Sequence, residues 1–350
     1  MHPFRNLLLV YFGQESSLEK SPTPADWKRL FAMTRQQALV GVMNAAVHRL
    51  PVSQQPPGDI LAEWDMLASK VRQLYELHER HAMELEGVLA RLGLHGCILK
   101  GTGLARLYPE PGRRQCGDID LWVRGPRKTI LETFSQRFHV HSILYREFKA
   151  DIFDDTIVEV HFLPTQLYNP FCNARFQRWM KRHSPIIDEA ALTYPDAEFN
   201  AVFCMAHMYR HYLAGGLGLR QMMDYYYILK NLPAAARHPV FQTLKRLGMG
   251  RFAAASMMAV QFNFGLEDEY LLCKPDTKRG RKLITEMIQM GNFGTWDPRH
   301  RHAEDETLFA RFLRRNKRTF SYLRLYPRQV LWAPLYRFTQ FIWRIFRGYR

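Results

Sequence analysis

The chain has 350 residues, 47% hydrophobic and 23% charged, enough apolar mass to bury a sizeable core and too much for a disordered polymer. Its net charge of +16 is unevenly placed: residues 311–350 carry eleven basic residues and no acidic one, so the first 310 residues are close to neutral. This excludes a nucleic-acid surface spread over the whole protein, and five scattered cysteines without a CxxC pair argue against a disulfide framework or structural zinc site and for a reducing cytoplasm.

Residues 1–92 read as a helical region. The apolar run Leu7–Phe12 is too short to cross a bilayer and lacks the features of a secretory signal. Pro24–Leu50 and Ile60–Leu92 carry apolar residues at intervals of three and four, and the Pro/Gln-rich stretch 51–58 connects them. The pattern changes at Gly93, where residues 93–187 read as an α/β core. Gly96–Lys100 is of strand type and ends in Gly101-Thr102-Gly103; Thr102–Tyr108 predicts a short helix stopped by Pro109–Gly112. Asp118–Val123 alternates strictly, as a strand does, and Pro126–Phe138 predicts a helix. His139–Lys149 and Thr156–Leu163 predict two strands joined by the turn Asp151–Asp155. That order predicts a mixed sheet with helices packed on it. Residues 188–310 return to helical spacing over Phe199–Leu213, Leu219–Leu232, Phe241–Phe264 and Arg281–Met290, and 311–350 form a basic, aromatic-rich tail.

Chemistry concentrates in the α/β core. On a strand, Asp118 and Asp120 project from one face while Ile119, Leu121 and Val123 point into a core. Adjacent carboxylates repel unless a cation lies between them, and Mg²⁺ is a suitable guest. The turn around Gly101 lies between a strand and a helix, where backbone N–H groups receive phosphate; Thr102 adds a hydroxyl and Lys100 a positive charge. It is not a Walker motif, since no GK[ST] follows. In Val158-Glu-Val-His-Phe162, Glu159 and His161 share the polar face, so Glu159 can join the two aspartates as a third carboxylate. Asp154 and Asp155 are rivals for that role but fall in the turn. Arg114, four residues before Asp118, suits either a phosphate or a salt bridge ordering the loop. His207 and His211 at i, i+4 lack the glutamate of a zincin helix and fall on one stripe with Asn200 and Cys204, as residues lining a cleft would. Arg220 and Asp224 have the spacing of a helix ion pair.

Strand, glycine turn and helix, then a strand with Asp-x-Asp, then a later strand with one carboxylate, resembles the polymerase-β-like nucleotidyltransferase superfamily. Within it, Leu99-Lys-Gly-Thr-Gly-Leu-Ala-Arg-Leu-Tyr-Pro109, Arg114-Gln-Cys-Gly-Asp-Ile-Asp-Leu121 and Glu159-Val-His161-Phe162 are similar to the bacterial uncharacterised nucleotidyltransferase family. His207, His211, Leu219, Arg220, Asp224 and Met290-Gly-Asn-Phe-Gly294 extend the likeness over most of the chain. Phenylalanine at 162 replaces a tryptophan, Gly101-Thr102 replaces Gly-Gly or Gly-Ser, and the spacing from Thr102 to Asp118 is longer than is common. The resemblance implies an α+β fold, a nucleotidyltransferase core flanked by N- and C-terminal helical regions. It implies transfer of an NMP from an NTP such as ATP to an acceptor with release of pyrophosphate. Asp118, Asp120 and Glu159 are then the catalytic, metal-holding residues for two Mg²⁺, with Mn²⁺ as a substitute. Lys100, Gly101, Thr102 and Arg114 bind nucleotide phosphates, and His161, His207, His211, Arg220 and Asp224 line the acceptor pocket. The acceptor is read as a sugar, lipid-linked or small molecule rather than RNA, with polysaccharide biosynthesis as a guess at the setting. The alternative is an inactive scaffold of the same fold or a membrane-associated interaction protein.

The tail carries a signal of its own. Between Leu335 and Arg347 the polar stripe Arg337, Gln340, Arg344, Arg347 opposes Leu335, Phe338, Phe341, Ile342, Trp343, Ile345 and Phe346. An aromatic face beside arginines suits peripheral contact with an anionic membrane at its cytoplasmic face; the competing reading is a core helix with solvated arginines.

Overall fold

A computed structural model describes residues 2–183, 190–297 and 307–346. The N-terminal region starts with α1 (His2–Tyr11), α2 (Pro24–Gln36) and α3 (Val40–Arg49). Thr23 opens α2 with a reciprocal capping box to Asp26, and Pro24 takes the first helical position, where its missing N–H costs nothing. The segment 24–50 is therefore two helices rather than one, separated where Ala38 turns to φ +54°. The next helix, α4 (Gly58–Leu92), runs 35 residues and stops at Gly93 in the left-handed conformation. Its first half buries Trp64, Ala68 and Val71 among the helices, and its second half buries Ala82, Leu85 and Leu89 beneath the sheet. One helix thus belongs to both cores.

The sheet comprises β1 (Gly96–Leu99), β2 (Ile119–Val123), β3 (Val140–His141), β4 (Glu147–Ala150), β5 (Val158–His161) and β6 (Leu192–Thr193), in the order β3-β4-β5-β2-β1-β6. β2 pairs parallel with β5, β6 joins β1 in parallel, and the other neighbours are antiparallel. The fold is α+β, as expected. The expected strand 139–149 is split into β3 and β4 around a turn at 142–146, and the last strand lies beyond the 93–187 segment. A short helix, α5 (Gly101–Ala105), follows β1, and α6 (Arg127–Ser135) follows β2. Ile98, Ile119, Leu121, Val123, Phe148, Val158 and Val160 line one sheet face against α4 and α6. The opposite face bears Cys97, Leu99 and Trp122, which join the larger helical core, and the polar residues of the site.

The helices that follow are α7 (Pro170–Arg182), α8 (Ala197–Ala214), α9 (Leu219–Asn231), α10 (Ala234–Arg246), α11 (Gly250–Phe264) and α12 (Thr277–Met290); Phe199 of α8 stacks on Trp122 of that second face at 5.8 Å, and α10 and α11 pack on α8 and α9. The apolar segment 241–264 is again two helices, broken at Gly248 with φ +79°. The tail forms α13 (Leu308–Phe320), α14 (Pro327–Val330) and α15 (Ala333–Phe346). Tyr322, Tyr326, Val330 and Ala333 are buried in the main core, and Arg318 is buried against Asp297 at 3.3 Å. Phe338, Phe341 and Phe346 of α15 are exposed. The tail is therefore core on one side and an apolar surface on the other. Arg347 and the side chains of Arg344 and Ile345 lie outside the described residues. Among the described residues, no helix is long and apolar enough to cross a membrane.

Candidate active site

The parallel register sets Asp120 beside Glu159, and β4 brings Lys149 opposite Glu159 and Glu147 opposite His161. Because side chains alternate along strands, Asp118, Asp120, Glu159, His161, Glu147 and Lys149 all project from the face turned toward α8. Ligand atoms of Asp120, Glu159 and His161 lie within 4.8 Å of one another, a group that could hold a metal ion. Asp118 immediately precedes β2, on the wall of the adjoining cleft.

A chain of polar contacts runs through this cluster. Lys100 Nζ is 2.7 Å from Asp120 Oδ1; His161 Nε2 is 2.9 Å from the same oxygen; His161 Nδ1 is 3.1 Å from Glu147 Oε2, which is also 3.2 Å from Arg146. Burial alone would raise Asp120, but Lys100 and His161 outweigh it and hold the carboxyl well below the usual range. Burial would likewise raise Glu147, yet His161 and Arg146 bring it down to about 2. His161 is raised despite its burial because carboxylates stand at both ring nitrogens. Its Nε2 shares a hydrogen bond with Asp120 while Nδ1 stands at ion-pair distance from Glu147. Asp118 and Glu159 go the other way: burial raises Asp118, helped by Asp120, and burial raises Glu159, helped by Asp118, Glu147 and Asp120. The site thus contains Asp120 and Glu147, each held by two protein cations, and Asp118 and Glu159, which repel each other with Lys149 3.5 Å from Glu159 as a partial counter-charge. A divalent cation would relieve that repulsion, so the donor set fits one.

The cleft beside the cluster has a volume of about 350 Å³. Lys100 enters it from a turn where its own φ is +49°, a conformation that costs a non-glycine residue about 1–3 kcal/mol. Gly101 follows at φ +38°, where an added Cβ would lie 3.3 Å from the Asp118 carbonyl oxygen. Lys100 and Gly101 both line the cleft, whereas Thr102 is buried beneath the turn with its hydroxyl unpartnered and is not part of the wall. Arg114 lines it too, but both carboxylate oxygens of Asp224 engage its guanidinium at 2.7 and 2.8 Å, and Tyr108 donates to the same carboxylate. Of the two roles open to Arg114, the salt bridge is formed, with a partner on α9.

The residues expected around an acceptor divide. His207, Arg220 and Asp224 line the cleft with Lys100 and Asp118. Arg220 does not pair with Asp224 as their spacing suggests; it donates to the Gln115 carbonyl oxygen and faces the Phe293 ring at 5.5 Å. His211 lies behind His207, with ring centres 4.3 Å apart, and burial followed by nearby cations keeps both neutral. His161 is not in the cleft wall at all; it stands inside the carboxylate cluster. Among the stripe companions of the histidines, Cys204 lines the cleft and Asn200 does not. Asp155 faces His81 of α4 at 3.4 Å and Asp154 is exposed, so Glu159 is the third carboxylate the fold brings in.

Glu147 and Lys149 escaped notice in the sequence, although their alternation within a strand segment carried the signal. The other missed feature is a backbone junction. Gly216 and Gly218 pack so tightly on Gly294 and Asn292 that added Cβ atoms would lie 2.6 and 2.7 Å from those Cα atoms. This contact, with Gln221 donating to Asn292, sets Asn292 and Phe293 into the cleft wall.

A sequence model described as an uncharacterised nucleotidyltransferase matches residues 23–265, which is more than half of the chain. The matched span contains the carboxylate cluster, the glycine turn and both histidines of α8. No curated protein and no solved structure matches.

Proposed function

We propose, from the premise that the chain belongs to the uncharacterised nucleotidyltransferase family, that it transfers a nucleoside monophosphate from an NTP to an acceptor. The observation that carries this reading is the Asp120–Glu159 register beside the Lys100–Gly101 turn. The triphosphate lies in the cleft, where Lys100 and Arg220 supply positive charge and Gly101 lets it approach the backbone. Asp118, Asp120 and Glu159 would hold Mg²⁺ there, which when bound neutralises the triphosphate and makes the acceptor easier to deprotonate.

An acceptor oxygen forms a bond to the α-phosphorus as the bond to the bridging oxygen of the β-phosphate breaks, and pyrophosphate leaves with that electron pair. Glu159, made more basic by burial and its acidic neighbours, is the carboxylate suited to take the acceptor's proton. His161 holds Asp120 in orientation from one ring nitrogen while Glu147 steadies the other. Lys100, which pairs with Asp120 and lines the cleft, would place its charge beside the phosphates. Most of the rate enhancement in such a site comes from positioning and charge neutralisation.

Calorimetry of ATP and the other NTPs, with and without Mg²⁺, tests the reading, followed by incubation of labelled NTP with cell extract to find the adduct. Metal-dependent binding and pyrophosphate release support it; failure of every NTP to bind in the presence of Mg²⁺ or Mn²⁺ sinks it and favours the inactive scaffold.

The tail bears on location. Phe338, Phe341 and Phe346 present an apolar face on a segment rich in arginine, which fits peripheral contact with an anionic membrane.

A further inference from the structure

A second cavity, about 320 Å³, shares no lining residue with the cleft. Arg146 from the turn before β4, Arg210 from α8, Arg311 and Arg315 from α13 and Arg337 from α15 converge on it, with Tyr168 on its wall. Among the described residues no aspartate or glutamate lines it. Arg146 meets Glu147, and Arg337 donates to Asn316 and Thr319; no carboxylate among the described residues pairs with Arg210 or Arg315.

Holding Arg210 and Arg315, neither paired with a carboxylate among the described residues, beside Arg146 and Arg337 in one concavity is unfavourable without a further anion. Burial and then Arg210 push Arg146 below its ordinary range; burial lowers Arg315 as well, with Arg337 and Arg210 adding to it and Tyr168 opposing. The planar fork of arginine matches phosphate oxygens two at a time, and several forks together suit a doubly charged group.

Arg146 touches Glu147, Glu147 touches His161, His161 touches Asp120 and Asp120 touches Lys100, so the carboxylate cluster stands between the arginine cavity and the cleft. The cleft is near the lower end of the roughly 300–1,000 Å³ typical of ligand pockets, enough for one substrate rather than two. We propose that the arginine cavity binds the phosphate group of a phosphorylated acceptor, which approaches the cluster from the side opposite the nucleotide. This assignment of the acceptor rests on the nucleotidyl-transfer reading. The phosphate belongs either to a soluble monoester or to a lipid headgroup; Phe341, which lines the cavity and is 41% exposed, joins it to the apolar face of α15.

The test titrates glycerol 3-phosphate into the full-length protein by calorimetry, with Mg²⁺ and saturating non-hydrolysable ATP present. One equivalent should bind. Arg210→Gln and Arg315→Gln should each weaken it about tenfold, the loss of a charge-assisted contact, while ATP binding is kept. No binding to the wild type, or binding that both arginine variants leave unchanged, overturns the cavity. If ATP does not bind yet the arginine-dependent equivalent remains, the anion site stands and the nucleotide reading falls. A second arm uses phosphatidylcholine vesicles containing phosphatidic acid. Co-sedimentation that Arg210→Gln or free glycerol 3-phosphate abolishes identifies a lipid headgroup; binding of the soluble probe without such co-sedimentation identifies a soluble phosphate.

Discussion

Arg114 and Asp224, 110 residues apart, meet through two hydrogen bonds with both side chains buried. The pair fastens the segment leading into Asp118 to the helical region that forms the other cleft wall. Removing one member strands the other charge in a buried site, so Arg114→Leu or Asp224→Leu should each cost about 3–5 kcal/mol in urea unfolding. The double variant should cost clearly less than the two singles combined. Additive losses would show that the two side chains act independently.

Asp118 and Asp120 should respond oppositely to neutralisation. The folded pKa of Asp118 is raised, so its ionisation destabilises the fold as pH climbs through that value; Asp118→Asn should leave the metal-free protein as stable at pH 7 or more so. The folded pKa of Asp120 is lowered, so its contribution is present above the ordinary carboxylate value of about 4 and is lost on acidification toward the depressed one. Asp120→Asn should therefore cost about 3 kcal/mol at pH 7, by loss of its contacts to Lys100 and His161. Both variants should lose transfer. Thermal melts across pH together with pyrophosphate release check each half; wild-type activity in either variant removes it from the catalytic set.

Glu159→Gln should keep NTP binding and lower turnover by about 10²–10⁴, the range for loss of a positioned proton acceptor. Asp154→Asn and Asp155→Asn should change turnover little, since neither side chain reaches the cluster. Calorimetry and single-turnover kinetics separate binding from chemistry here. An essential Asp155 with a dispensable Glu159 would mean that the third carboxylate has been misassigned.

Gly294→Ala should lower stability by about 2 kcal/mol or more and weaken nucleotide binding together. The residue sits at φ +71° and its added Cβ would fall 2.0 Å from the Gly215 carbonyl oxygen, so the loop bearing Phe293 must move. An alanine variant that melts and binds like the wild type would show that this junction yields freely.

Removing the chain from Arg311 onward should unfold or strongly destabilise the protein, because Tyr322, Tyr326 and Val330 would leave the core. Phe338→Ser with Phe341→Ser should instead keep the melting temperature and reduce co-sedimentation with phosphatidylglycerol vesicles. Added salt should weaken the remaining attachment as charge screening grows. Equal sedimentation of this double variant and the wild type would show that the aromatic face takes no part.

The α/β core was legible because its strands alternate cleanly and its carboxylates lie on them: Asp118-Ile-Asp120 and Glu159-Val-His161 are both where the period of two puts them. Helix breaks at Ala38 and Gly248 were not, since the apolar spacing continues through both and only the backbone turn divides them. Strand pairing was also hidden. That Glu147 faces His161 depends on which strands become neighbours, and local pattern says nothing about it. Likewise Arg220 and Asp224 have helix-pair spacing, but Asp224 turns to an arginine 110 residues earlier because burial favours its bidentate partner. The arginine cavity collects residues from 146 to 337, a spread in which no motif could be read.

The N-terminal helix imposes an order on the chain's birth. In α1, Phe4, Leu7, Leu8 and Val10 are buried, Arg5 donates to the Phe262 carbonyl oxygen, and Gln14 donates to that of Phe264, 250 residues later. Once made, α1 thus cannot find part of its permanent partner until α11 has been synthesised. At about 5–20 residues per second the wait is roughly 12–50 seconds. Throughout it, an apolar stripe stays without part of its native cover, a distant closure of the kind that slows folding. Production of this protein should therefore respond to chaperone supply more strongly than its stability once folded would suggest.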